Sequence, residues 1–560
     1  MPAPIAFNTG SQTAGTLKVA GLEYSISSSI GSGSANLRWF PTINPGPYGL
    51  VFATSNFTQS YGTYQASTPL FYTASNTVAG IISASNRLPD RYNQTQFTTT
   101  ASALEWIASS GKYFMMNYEY PQIVSDKLVY LVDSTLLASY PQTSTTTYPI
   151  QNTPLVGVGT LQNGVAWDFT SRTFDFDGSD DQILINTSDR FGDLDWSKGI
   201  TVMVLYKIDA VTDLNGQYRA FIGVTGGNRS FNYYLYGAGN PATTLQYHFS
   251  ANYSAGLSNS LTISADRYHL GIFTCDPDNA IYYHNGAPAG TQGAGTPAYY
   301  TAGGPQYLGR ADNFAKGNIA RWALYNKALT QAEVLQNLYQ GNIVTDGLEL
   351  FLDAGNLVSY PTTGTTWYTL AGNNNSPLTN GPSFNSSYGG FISFDGVDDF
   401  AYNNYEIQAA NNSTLQTFCS WVRGSSTGTS FFGSNADSLG KFHLIIDYQN
   451  STTLRFAESY YGGGSPTTDQ NNLATVSPKE WNFVAVVKTA QYTYDVYYNG
   501  VRVIAGAIKG ATLNSNLQLG TWWSGNYKPQ QTGCVYTYSR ALSATDILQN
   551  FDAQKNRFGL

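Results

Sequence analysis

Hydrophobic positions along this chain fall in short runs, broken every few residues by Gly, Asn, Asp or Pro. A period of two, apolar then polar, predicts a half-buried strand. Residues 16–19 and 22–26 have that form. Leu128–Asp133 and Leu348–Asp353 are apolar strands that each end in Asp. Residues 201–206 and 417–422 alternate in the same way. Tyr283-His284-Asn285-Gly286 and Tyr497-Tyr498-Asn499-Gly500 end strands in Asn-Gly, which predicts tight hairpins because both residues tolerate positive φ. A helical period is rarer. Val78, Ile81 and Ile82 share one face, and Leu104, Ile107 and Ala108 share another. Leu88-Pro89 would close the first helix, since the residue before proline avoids the helical region. Gly111 would cap the second, and 113–116 then reads as a strand.

The pattern is written twice. Phe176-Asp177-Gly178-Ser179-Asp180-Asp181 returns as Phe394-Asp395-Gly396-Val397-Asp398-Asp399. Ser139-Tyr140-Pro141 returns as Ser359-Tyr360-Pro361, and Tyr325-Asn326-Lys327-Ala328-Leu329-Thr330 as Tyr538-Ser539-Arg540-Ala541-Leu542-Ser543. An ordered repeat this long is a duplicated domain rather than a solenoid unit. Each copy closes with a predicted helix carrying Leu335 or Leu548. Thr330 with Glu333, and Ser543 with Asp546, stand where a capping box would. Asp departs from the preferred Glu or Gln, so the second box is expected to be weaker. The reading is a mainly β chain. A small α+β domain at 1–125 precedes two β-sandwiches at 126–344 and 345–560.

Composition agrees and narrows the function. Charged residues make up 11% of 560, less than half the usual share, while Tyr (42) and Gly (55) are abundant. Solubility rests on Ser, Thr, Asn and Tyr, the surface of an adhesin or a virus fibre rather than of a metabolic enzyme. A net charge of −8 argues against nucleic acid as a partner. Cys275, Cys419 and Cys534 are odd in number and far apart, so no disulfide framework is expected, and Cys275 and Cys419 read as buried small hydrophobes. The first residues lack the basic and apolar regions of a signal peptide, and no run is long enough for membrane insertion. A chain folded in a reducing cytosol but built for the outside is expected of a virion protein.

The residues themselves carry a resemblance. FDGVDDF from Phe394, the strand from Trp481, Tyr-Tyr-Asn-Gly and Tyr538-Ser539-Arg540-Ala541-Leu542-Ser543 resemble laminin-G/concanavalin A-like lectin domains. That implies two tandem concanavalin A-like jelly rolls. Leu88 to Arg91, Ala103 to Phe114, Tyr120-Pro121 with Ile123-Val124, Gly347 to Gly355 with Ser359-Tyr360-Pro361, and Arg557-Phe558-Gly559 resemble virion structural proteins of tailed phages, notably myoviruses of cyanobacteria. That likeness implies a surface decoration or fibre-like component, exposed on the particle and assembled in host cytoplasm. Residues 1–125 would join other virion proteins or a homo-oligomer. Alternatives within the likeness are a tail receptor-binding protein or depolymerase, and a purely structural cement.

Candidate chemistry is sparse. Some lectins of this kind carry calcium, which makes Asp180, Asp181, Asp398 and Asp399 candidate Ca2+ ligands. The competing reading is a turn in which Asp177 or Asp395 holds backbone N–H groups, Gly178 or Gly396 takes positive φ, and Phe176 or Phe394 enters the core. A glycosidase needs two carboxyls flanking a sugar. Asp175-Phe176-Asp177 alternates carboxylates, but the second copy has Ser393 in place of Asp175, so no enzyme is expected. Four histidines, His248, His269, His284 and His443, form no zinc or triad pattern. Aromatic loops are the stronger lead, because a flat ring with a polar edge suits a sugar. Trp522, Trp523 and Tyr527, with Tyr460 and Tyr461, are the candidate carbohydrate contacts for a host-surface glycan. The first copy offers Phe314 in the corresponding loop.

Overall fold

A computed structural model describes residues 15–19, 22–26 and most of 123–560, apart from several stretches of which 148–158, 293–303 and 461–479 are the longest. Gly15–Val19 and Leu22–Ile26 pair as an antiparallel hairpin. The helices expected around Ile81 and Ile107, the strand at 113–116 and the α+β character of 1–125 lie outside the described residues. The chain divides into two compact units, Met1–Leu338 and Tyr339–Leu560.

Apart from that hairpin in the first, each unit holds two antiparallel sheets that form a sandwich. In the first, the front sheet runs through Gly256–Leu257, Thr244–Ser250, Asn232–Ala238, Tyr218–Val224, Gln306–Leu308, Gln182–Asn186, Gly159–Gln162 and Thr146–Thr147. The back sheet runs through Ala287–Gln292, Ala280–His284, His269–Cys275, Ile200–Lys207, Lys316–Tyr325, Thr173–Asp177 and Ala166–Asp168, with Leu128–Asp133 also pairing Lys316–Tyr325. The second unit repeats this order strand for strand. Its front sheet is Thr453–Tyr460, Phe442–Asn450, Ser430–Asn435, Ser515–Leu519, Phe400–Ile407, Ser376–Thr379 and Thr366–Trp367. Its back sheet is Val501–Ile508, Thr493–Tyr498, Asn482–Ala490, Thr417–Gly424, Gln530–Tyr538, Phe391–Phe394 and Ser383–Asn385, with Leu348–Asp353 against Gln530–Tyr538. Among the described strands of the two sandwiches, Gly256–Leu257 alone lacks a counterpart. The duplicated motifs therefore encode two copies of one jelly roll.

The core of each sandwich lies between its sheets. Phe174, Phe176, Val204, Tyr233 and Trp322 fill the first, and Leu352, Trp367, Phe394, Phe456 and Val486 the second. Each such side chain contributes about 1.5–3 kcal/mol by burial. The first core also encloses a polar chain. Tyr206 and Tyr247 share a hydroxyl contact of 3.0 Å, and Tyr247 Oη lies 2.8 Å from His284 Nδ1. The His284 ring stacks on His269 with centroids 5.1 Å apart. Gly271 permits this, because a Cβ there would lie 2.8 Å from the Tyr247 ring.

Ile200–Lys207 departs from the alternating expectation: Thr201, Met203 and Leu205 are as buried as Val202 and Val204. The back sheets are covered on their outer faces too. In the second unit Trp421 stacks against Phe551 of the closing helix Ala544–Gln554, at 5.7 Å. A strand buried on both faces loses its polar alternation.

Both closing helices start in a completed capping box. Thr330 N donates to Glu333 Oε2 at 2.9 Å, and Glu333 N to Thr330 Oγ1 at 3.3 Å. Ser543 N donates to Asp546 Oδ2 at 3.0 Å, and Asp546 N to Ser543 Oγ at 3.2 Å. The second box is not the weaker one expected. The shorter Asp reaches the N-cap amide, and Arg540 pairs with the same Oδ2 oxygen at 3.0 Å.

One asparagine in each helix clasps the segment that leads into its unit's first strand. Asn337 Oδ1 accepts from Val124 N, and Asn550 Oδ1 from Val344 N, both at 2.8 Å. Their amides donate to Tyr325 and Tyr538 hydroxyls at 3.2 and 2.8 Å. Asn550→Ala leaves the Val344 amide buried without its acceptor. It is expected to cost the second sandwich about 2 kcal/mol, read as a lower denaturant midpoint at unchanged m-value.

Buried charge is handled differently in the two copies. Asp133 lies across from Arg321 in the strand register, and the guanidinium Nε donates to its carboxylate at 2.6 Å. The equivalent Asp353 lies across from Cys534. Its cation comes instead from Arg557, beyond the closing helix, whose Nη1 sits 2.6 Å from Asp353 Oδ1. Arg557 also donates to the carbonyls of Tyr388 and Gly390 at 2.9 and 2.7 Å. Phe558 anchors the segment against Trp421 and Trp481, at 4.5 and 4.7 Å.

Candidate functional site

The acidic motif folds into the same turn in both units. Phe176 and Phe394 point into their cores, at 1% and 2% exposure. Asp177 Oδ1 accepts from Ser179 N and Asp180 N at 2.7 and 3.3 Å, and Asp181 Oδ2 accepts from Asp177 N at 2.9 Å. In the second copy Asp395 Oδ1 accepts from Val397 N and Asp398 N at 2.7 and 3.4 Å, and Asp399 Oδ2 from Asp395 N at 3.1 Å. Gly178 and Gly396 take φ of +83° and +81°, which a side chain would strain. Asn163 and Asn380, themselves at positive φ, each donate 2.9 Å bonds to the carbonyls of Asp180 and Asp398.

Backbone N–H groups, first those of Ser179 and Val397, hold Asp177 and Asp395 below the usual carboxylate range. Burial pushes Asp181 and Asp399 above it. In each turn the three carboxylates offer oxygens within 4.8 Å of one another. Hard oxygen donors are what calcium takes, and three carboxylates hold at most six oxygens against its roughly six to eight. Several of those oxygens already serve the turn, so hydrogen bonding alone accounts for the motif.

A second element joins each turn. Gly309 and Gly520 pack against the motif phenylalanines: an added Cβ would lie 2.2 Å from Phe176 and 2.6 Å from Phe394. The loop that follows is closed by an isolated bridge, Arg310 with Phe314 in one unit and Thr521 with Tyr527 in the other. Beyond it, Lys316 abuts Gly178 and Pro529 abuts Gly396. Acidic turn and late loop thus share one rim of each sandwich, which their sequence separation does not announce. Tyr527 is half-buried, with its ring 6.1 Å from Phe400. Trp522, Trp523 and Tyr461 lie outside the described residues, and Tyr460 ends its strand across from Phe442.

Asp175 sits on the back sheet across from Asn318, whose amide lies 3.5 Å from its carboxylate. Burial first, then the charge of Asp209, holds it above the ordinary range. Asp177, two residues on, is spent in the turn.

The sequence reading missed an aromatic surface. On the outer face of the first front sheet, Tyr218 stacks on Tyr236 with centroids 4.1 Å apart, and Tyr234 stacks on His248 at 6.1 Å. On the same sheet Arg310 lies 5.1 Å from the ring centres of both Tyr307 and Phe314. The signal was the alternation of 232–238. Its inward positions, Tyr233 and Leu235, are as apolar as its outward ones, so the pattern could not say which face was the surface.

Fold and repeated motif together place the chain: it belongs to the concanavalin A-like lectin/glucanases superfamily. The family's laminin-G-type profile (Laminin_G_3) matches residues 177–335 and 395–548, more than half of the chain. No curated protein matches it by sequence. Among solved structures, Trypanosoma rangeli sialidase in complex with sialic acid is 12% identical, covering 69% of this chain and 60% of the sialidase, with a TM-score of 0.30. Domain 4 of AbnA, a GH43 extracellular arabinanase from Geobacillus stearothermophilus in complex with arabinotriose, is 14% identical over 36% of this chain and 97% of that domain, with a TM-score of 0.26. The CBM40 of Ruminococcus gnavus IT-sialidase, bound to alpha2,3 sialyllactose, is 14% identical over 25% of this chain and 83% of that module, with a TM-score of 0.21. This chain thus spans 60% of the length of the sialidase. Likeness at this level assigns no ligand. Among the described residues no helix is long and apolar enough to cross a membrane.

Proposed function

We propose that this chain is a non-enzymatic structural component of a tailed-phage particle, whose lectin-like sandwiches face outward and contact host-surface glycan. One observation carries the non-enzymatic half. In both copies the clustered carboxylates accept backbone N–H groups and hold a turn at the rim, an arrangement unlike two carboxyls facing each other across a sugar. Lectin-like contact is supported by the family and by the aromatic face of the first unit's front sheet. The particle is supported by the likeness of residues 88–124, 347–361 and 557–559 to phage virion proteins. In this reading residues 1–125 attach the chain to other virion proteins or to further copies of itself, and calcium at the acidic turns is dispensable.

The test takes the purified full chain through a glycan array and a reducing-end assay, with antibody labelling of intact particles by electron microscopy. Glycan binding without release of reducing ends, on particles that take up label, is the expected result. Release that disappears in Asp175→Asn would make the protein a hydrolase, and unlabelled particles would remove it from the virion.

A further inference from the structure

The aromatic face of the first front sheet has the composition of a binding site with two unlike ends. At one end Tyr218 lies across from Tyr236, and Tyr234 across from His248. Tyr218, Tyr236 and His248 are half-buried, so each ring presents part of itself outward. At the other end the Arg310 guanidinium is bracketed by Tyr307 and Phe314 and donates from Nη1 to Gln182 Oε1 at 2.5 Å. Between them the sheet is closed over, with Ala220, Gly223, Tyr234 and Ala311 all buried. Gly223 lies under Ala311, where a Cβ would come within 2.3 Å, and Ala220 and Ala311 pack together. Among the described residues no carboxylate pairs with Arg310.

We infer that this face binds an oligosaccharide that carries a carboxylate, with sugar rings on the tyrosine end and the acid on Arg310. The inference rests on the glycan-contact reading and names its ligand class. A pyranose lays its C–H face on an aromatic ring, and stacked tyrosines add hydroxyls at the edge. A guanidinium fork meets a carboxylate with two parallel bonds, and an ammonium could not. Two flanking rings hold the Arg310 plane before any ligand arrives, so less side-chain freedom is lost on binding. On a chain of net charge −8 an acidic ligand needs a local cation, and this face supplies one. The buried stretch separates the ends, so a ligand that reaches both is a run of sugars rather than a single ring.

Calorimetric titration of the full chain with tetragalacturonate and with its carboxyl-reduced counterpart tests this. The acidic tetramer is expected to bind at least about tenfold more tightly. Arg310→Gln is expected to erase that preference. Tyr218→Ala is expected to weaken both ligands about five- to 150-fold, with near-ultraviolet dichroism confirming each variant's fold. Equal affinity for the two tetramers, or an acidic preference that survives Arg310→Gln, overturns the inference and leaves glycan contact standing. Failure of both tetramers, with neutral glycans still bound on the array, overturns it too. A protein that binds nothing on the array loses the underlying reading as well.

Discussion

Arg557→Ala is expected to lower the melting transition of the second sandwich on the order of 10 °C and to leave the first where it was. Asp353 is 1% exposed, and Arg557 is the cation that meets it. Removing one partner of a buried pair leaves an uncompensated charge, at a cost of about 3–5 kcal/mol. Calorimetry of the full chain separates the two units if they melt apart. Two second-site changes distinguish charge from lost packing by Phe558. Asp353→Asn in the same chain removes the stranded carboxylate and should recover much of the loss. Cys534→Arg restores a cation at the register position that Arg321 holds in the first unit, and should do the same. An unchanged transition in Arg557→Ala would show that Asp353 finds another partner.

Acid should act on the other sandwich. Burial, with the Arg267 charge adding to it, pushes His269 down to about 4. Burial and then the neighbouring His269 push His284 down to about 3. Unfolded histidine titrates near 6.5, so below that pH the unfolded chain binds protons that the native core refuses. The stability these rings confer is complete above about pH 6.5 and is lost progressively as pH falls toward 4 and 3. For His269 alone the span amounts to about 3 kcal/mol. The second unit carries a single histidine, His443. The lowered Asp177 and Asp395 act only below the ordinary carboxylate range, and they occur in both units. The raised Asp181 and Asp399 likewise occur in both, while the raised Asp175 offsets part of the histidine effect in the first. Between pH 6.5 and 4 the first transition should therefore drift down against the second. Parallel drift of both would assign the effect to carboxylates instead.

Local chemistry was legible in the sequence where it is decided locally. Asn285-Gly286 and Asn499-Gly500 take positive φ at both positions, as a two-residue hairpin requires. The acidic turn, its glycine and its buried phenylalanine follow from six consecutive residues. The burial of Cys275 and Cys419 followed from their apolar strands. Contacts between distant strands were not legible. Asp133 and Asp353 ended matching strands and looked alike, yet their partners come from different places, one in a facing strand and one beyond a helix. The adjacency of acidic turn and late loop is likewise a product of the sandwich topology. The outer tyrosines were hidden because aromatic residues occupy both faces of the same strand.

That divergence in charge supply also limits how the two units can be recombined. Tandem copies invite unequal crossing-over, and most junctions inside this fold would keep one cation for one buried acid. A junction between the last strand and the segment after the closing helix would not. A strand with Cys534 followed by the first unit's helix and linker has no arginine, and the converse hybrid has two. Those two stretches must be inherited as a block, although a whole helix lies between them.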